Sequence, residues 1–140
     1  MKRVAAVLVL VALVAAAVHV YAQPGPKRST VIRGEVLDMG CFVSRSLRGA
    51  LHKECGSRCV QAGIPMGIIT ADSVVYWLTQ NHDRAMTPQQ FQPPDPYNQL
   101  RGWISSQAEV TGFLWEQKGM RMMEVKMAKL LPPPAAPPAK

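Results

Sequence analysis

Residues 30–41 read TVIRGEVLDMGC, and the parsing of this stretch decides the architecture. Val31, Arg33, Glu35 and Leu37 alternate with Ile32, Gly34, Val36 and Asp38, the period of two that marks a strand with one buried face. Ile32 and Val36 are therefore expected to face a core. Gly34 inside the run predicts a bulge or a tight bend, the device that turns a strand at a barrel corner. Cys41 stands at the end of this strand.

Downstream, from Leu47 to Ala62, the period changes. Leu51, Cys55, Cys59 and Ala62 recur at helical spacing, and Gly63 with Pro65 beyond it predicts the stop. Gly49 and Gly56 each weaken such a helix by roughly 1 kcal/mol relative to alanine, so it needs packing, a bound ion or a disulfide. Ile64–Thr70 and Ser73–Thr79 are β-rich runs joined by Ala71-Asp72, which predicts a hairpin. Residues 81–96 are proline-rich and read as an exposed loop. Asp95 as N-cap and Pro96 at N1 open a short helix through Tyr97, Leu100, Trp103 and Ile104. A second hairpin, residues 107–116 and 120–131, turns around Gln117-Lys118-Gly119. On its second strand Met123, Val125 and Met127 are expected to form the core face, and Trp77, Trp103 and Trp115 are read as core as well. Residues 132–140 form a Pro/Ala-rich extended tail.

At the start of the chain, Lys2 and Arg3 precede an uninterrupted apolar stretch from Val4 to Val18, and Val20-Tyr21-Ala22 offers a small-residue cleavage context. That is the pattern of an export signal over residues 1–22; an uncleaved anchor is the alternative. Residues 23–29 read as a flexible leader and residues 30–131 as one domain. The net charge of +7 loses its two signal residues on export, and the basic residues that remain are scattered. Export and this scatter together argue against nucleic acid as a partner.

The chemistry lies in His52, Cys55 and Cys59. At about 100° per residue, Cys55 falls about 60° and Cys59 about 20° from His52 around a helix axis, so all three share one face. Cys41 can approach from the strand end. Three cysteines are an odd count for an exported disulfide framework, and three readings follow. Cys41, His52, Cys55 and Cys59 bind a metal, zinc or copper(I), with Met39 and Met66 as auxiliary sulfur ligands. Alternatively, Cys41 pairs with Cys55 or Cys59 in a structural disulfide within a binding module that holds no metal. In the third reading the thiols exchange with disulfides as a redox protein. C-x-x-C-H is absent, Ser44 and Ser46 have no glycine elbow, and Asp38, Glu54, Asp72 and Glu109 make no recognisable acid pair. No enzyme class is indicated by these residues.

Strand with an internal glycine, hairpin, helix, hairpin: this order resembles the OB-fold, a mainly β, five-stranded, partly open barrel. Arg33-Gly34-Glu35-Val36 and Ala108-Glu109-Val110-Thr111-Gly112-Phe113-Leu114 look like its first and fourth strands. The chain also resembles a family of small exported bacterial OB-like proteins of uncharacterised activity. Their motifs correspond here to Asp38 and Cys41, then His52, Cys55 and Cys59, then Gly63, Pro65 and Gly67. The resemblance implies that the Cys/His helix is inserted after the first strand and a second short helix precedes the last hairpin. It implies no activity. The expected protein is an exported accessory or binding module, periplasmic or secreted, with a metal donor or acceptor or a cell-envelope protein as partner.

Overall fold

A computed structural model describes residues 29–82 and 95–133 of the chain. The elements among them run β1 (Ser29–Asp38), α1 (Met39–Arg45), α2 (Lys53–Gln61), β2 (Met66–Ile69), β3 (Val75–Gln80), α3 (Pro96–Leu100), β4 (Gln107–Gln117) and β5 (Met120–Leu130). Short 3-10 turns at Ala50–His52 and Arg101–Trp103 precede α2 and follow α3. The residues read as an export signal, most of those read as a leader, the tail from residue 134 and the central part of the proline-rich stretch lie outside the described residues.

β1 divides its two edges among its neighbours. Ser29 to Glu35 pair antiparallel with β4, and Glu35 to Asp38 pair antiparallel with β2. β2 pairs with β3, β3 runs parallel to β5, and β5 returns antiparallel to β4. The sheet closes as β1-β2-β3-β5-β4, an OB-like barrel with helices inserted between its strands. Closure gives every strand of the barrel two neighbours.

Gly34 acts by close approach. No register shift occurs there; instead a Cβ at this position would stand 2.1 Å from the carbonyl oxygen of Ile69. The glycine lets β2 come up against β1 beside Glu35, where partnership passes from β4 to β2. The irregularity of the wall lies elsewhere, between Thr111 and Gly112: Thr111 faces Met127 but Gly112 faces Val125. Lys126 is thus an extra residue on β5, and the inward face changes parity across it. Met123 and Val125 point inward as expected, while Met127 is 61% exposed and the partly buried Ala128 packs against the core in its place.

Ile32, Val36, Ile68, Leu78, Val110 and Met123 fill the barrel, and Leu100 and Ile104 plug it from the α3 side. Full burial of side chains of this size stabilises a fold by about 1.5–3 kcal/mol each. Asp95 caps α3 by accepting from the Tyr97 N–H at 3.0 Å, with Pro96 at N1. Lys118 and Gly119, at φ 50° and 81°, make the two-residue turn between β4 and β5, both residues left-handed as a primed turn demands. Trp77 stays 38% exposed. It lies on the outward face of β3 because its neighbour Leu78 takes the inward one.

The insertion after β1 departs most from the sequence reading. The strand stops at Asp38, short of Cys41, because the Asp38 carboxylate accepts from the N–H groups of Gly40 (2.9 Å) and Cys41 (3.4 Å) and so starts α1. The helix expected over residues 47–62 is shortened as well. Gly49, at φ 80°, holds the chain out of helical geometry, and α2 proper begins at Lys53. His52, Gly56 and Val60 face inward, whereas Leu51, which began the helical repeat, is fully exposed.

Candidate metal centre

α2 is held by both of its ends. At the C-terminus Gly63, at φ 101°, donates to the Val60 carbonyl and Ile64 donates to that of Cys59, at 3.1 and 3.0 Å. This pair of bonds is the Schellman closure, and it brings Ile64 back over Cys59. Arg101 Nη1 adds a bond to the Val60 carbonyl at 3.0 Å. On the inner face, a Cβ on Gly56 would stand 2.9 Å from Ile104 Cγ2 and 3.3 Å from the His52 ring. Gly56 therefore weakens the isolated helix but permits the close seating that buries His52.

Seated this way, α2 presents Cys55 and Cys59 one turn apart to Cys41 in the first turn of α1. The sulfurs of Cys41, Cys55 and Cys59 all lie within 4.8 Å of one another. An ion bonded to three sulfurs at about 2.3 Å holds them roughly 4 Å apart, so a contraction of about 1 Å at most closes the ring. All three are free thiols, Cys55 exposed and the others half-buried. His52, expected as the fourth ligand, belongs to a second group: its ring nitrogen, the Cys41 sulfur and an Asp38 oxygen lie within 4.8 Å of one another. Cys41 is the member common to both groups. Each group can hold a metal ion.

Asp38 is the hub that the sequence reading did not include among the ligands. It is 1% exposed, and its second oxygen lies 3.4 Å from His52 Nε2. Burial would raise its pKa, yet the bonds from the Cys41 thiol, His52 and the N–H groups of Cys41 and Gly40 together hold it below the ordinary value. The reciprocal effect falls on Cys41. The hydrogen bond to the Asp38 carboxylate, then burial and the nearby charge, push its thiol up to about 12. Burial first, and then the negative charge of Asp38, raise Cys59 as well, against the opposing bond from Cys41. Without an ion Cys41 is thus a protonated thiol donating to Asp38. The signal for this hub was an acid at a strand end, three residues before a cysteine, which is an N-cap placed where a ligand must turn.

The methionines named as auxiliary ligands serve packing. Met39 is buried in a small cluster with Leu37 and Ile69, its sulfur filling the space that a Cβ on Gly67 would occupy. Met66 is fully buried in the main core. No family model, curated protein or solved structure matches this chain.

Proposed function

We propose that this chain is an exported accessory protein that binds a soft metal ion through Cys41, Cys55 and Cys59, with copper(I) as the preferred ion. The convergence of three thiols from two helices within 4.8 Å carries this reading. Copper(I) favours thiolate sulfur and accepts three ligands, whereas a structural zinc site closes with four. The three sulfurs are grouped without His52, and exposed Cys55 leaves one side of the set open to exchange. Among the described residues no helix is long and apolar enough to cross a membrane. The N-terminal pattern read as an export signal supports an envelope location.

Zinc is the second reading, and one observation favours it. A carboxylate bonded to an imidazole nitrogen is the usual support of a histidine ligand, and Asp38 stands in that relation to His52. One titration separates the two. Reduced, metal-free protein is titrated anaerobically with copper(I) and with zinc, and bound metal is counted by elemental analysis after gel filtration. Copper(I) is expected to bind at one equivalent, to be lost in Cys55→Ser, and to survive in His52→Asn. Zinc binding that is lost in His52→Asn would replace copper with a Cys3His centre. Failure of the reduced protein to retain either ion would overturn the metal reading.

A further inference from the structure

The segment that carries the three thiols also carries exposed aliphatic side chains. Leu47 follows α1, Leu51 precedes Cys55 by one helical turn, and the Ile64 side chain lies over Gly40, the residue before Cys41. These three side chains are 40%, 105% and 37% exposed. Nothing in the barrel requires them outside: the inward face of α2 is already filled by His52, Gly56 and Val60. An aliphatic collar around a reactive cluster is what a docking partner covers, because binding there removes apolar surface from water just where ions are exchanged.

The charge of the same segment says what kind of partner fits. From Met39 to Ile64 the basic residues are Arg45, Arg48, Lys53 and Arg58, against Glu54 as the acid. Arg58 is paired with Glu54 and Arg48 reaches Glu35 on β1. Arg45, one turn beyond Cys41 on the same side of α1, is in no ion pair among the described residues. A basic, apolar surface attracts an acidic one and repels a second copy of itself.

We propose that this collar is the docking face for an acidic protein that carries its own soft-metal thiol site, and that copper(I) passes directly between the two. The proposal rests on the copper reading above. In the step itself the bond from copper to a partner sulfur breaks as the bond to Cys55 Sγ forms. Each incoming thiol gives up its proton, two to the departing thiolates of a two-thiol donor and the third to solvent, and copper stays in the +1 state throughout. Exposed Cys55 is the entry ligand, and Cys59 and Cys41 complete the set.

The test uses two synthetic Cys-x-x-Cys peptides, one flanked by glutamates and one by lysines, each loaded with copper(I). Transfer to the metal-free protein is followed by stopped flow at low and moderate salt. The glutamate peptide is expected to deliver copper at least about tenfold faster at low salt, the advantage shrinking as salt screens it. Arg45→Glu should remove most of that advantage. Leu51→Ser should slow both peptides while leaving copper affinity unchanged, and both sites are exposed enough to spare the fold. Equal rates for the two peptides, or a collar occupied by a dimer in sedimentation experiments, would overturn the docking proposal and leave the copper site standing. No copper binding from either peptide or from free copper(I) would overturn both.

Discussion

The barrel wall and the insertion between β1 and β2 are held by different forces. In the wall the inward positions are apolar, and strands remote in sequence share one core: Ile32 on β1, Ile68 on β2, Val110 on β4, Met123 on β5. Residues 39–64 bury only Met39, His52, Gly56 and Val60. Their order comes from Asp38 at one helix start, the Schellman closure at the other helix end, and an arginine reaching across to the Val60 carbonyl. Hydrophobic closure makes the wall independent of any ion. The insertion is a lightly anchored arm whose thiols are brought together by caps, and so it can gain rigidity from a bound ion without the barrel needing one.

Steric damage to the wall should therefore have the largest effect. A Cβ on Gly112 would stand 2.0 Å from the Glu124 carbonyl oxygen, a backbone atom that cannot step aside. Gly112→Val is expected to cost more than about 4 kcal/mol, near the whole stability of a small domain. Gly102→Ala, with open space at the same test position, should change stability by less than about 0.5 kcal/mol. Thermal denaturation followed by circular dichroism measures both, and a folded Gly112→Val protein would refute the close approach of β4 and β5.

The next effect falls on the insertion. Asp38→Ala removes the cap of α1 and the partner of His52, and should cost about 2 kcal/mol. Hydrogen exchange should report the loss first in residues 39–64. Asp38→Asn keeps a capping oxygen but not the charge, which isolates the pH dependence. Because the folded pKa of Asp38 is lowered, the unfolded chain takes up its proton first as pH falls. Its contribution is complete above the unfolded value of about 3.9 and is lost as pH drops through the lower folded one. Acid denaturation of Asp38→Asn should lack that component, and coincident acid limbs for the two proteins would contradict it.

Within the cluster a smaller difference is expected. In metal-free protein, iodoacetamide should label Cys55 first and Cys41 last, with rates separated by at least about tenfold. Cys55 is exposed, while Cys41 is half-buried and held as a thiol by Asp38. Peptide mass mapping over time gives the order, and Asp38→Asn should narrow the gap. Uniform labelling would mean that the hub does not hold Cys41.

The smallest effect returns to the wall. Lys118 occupies a left-handed position at φ 50°, and Lys118→Asn creates the Asn-Gly pair that a primed turn prefers. It should stabilise the protein by roughly 0.5 kcal/mol. A loss of stability would contradict that turn geometry.

By itself the sequence determined those features that depend on neighbours a few residues apart. Alternation placed Ile32 and Val36 in the core, Asp95-Pro96 opened α3, Lys118-Gly119 turned the last hairpin, and Gly63 ended α2. The spacing of Cys55 and Cys59 put them on one face, because a helix repeats every 3.6 residues wherever it sits. Tertiary structure decided whatever required knowing which way that helix is turned. The helical repeat ran through Leu51, Cys55, Cys59 and Ala62, yet the barrel mouth accepted the His52-Gly56-Val60 face, since only a glycine lets the backbone come close to Ile104. The extra residue Lys126 reversed the parity of β5 and put Met127 outside. The grouping of His52 with Asp38 and Cys41 likewise belongs to the packed state. A carboxylate buried at a strand end takes the nearest donors, and which donors are nearest is settled by contacts across the fold, not along the chain.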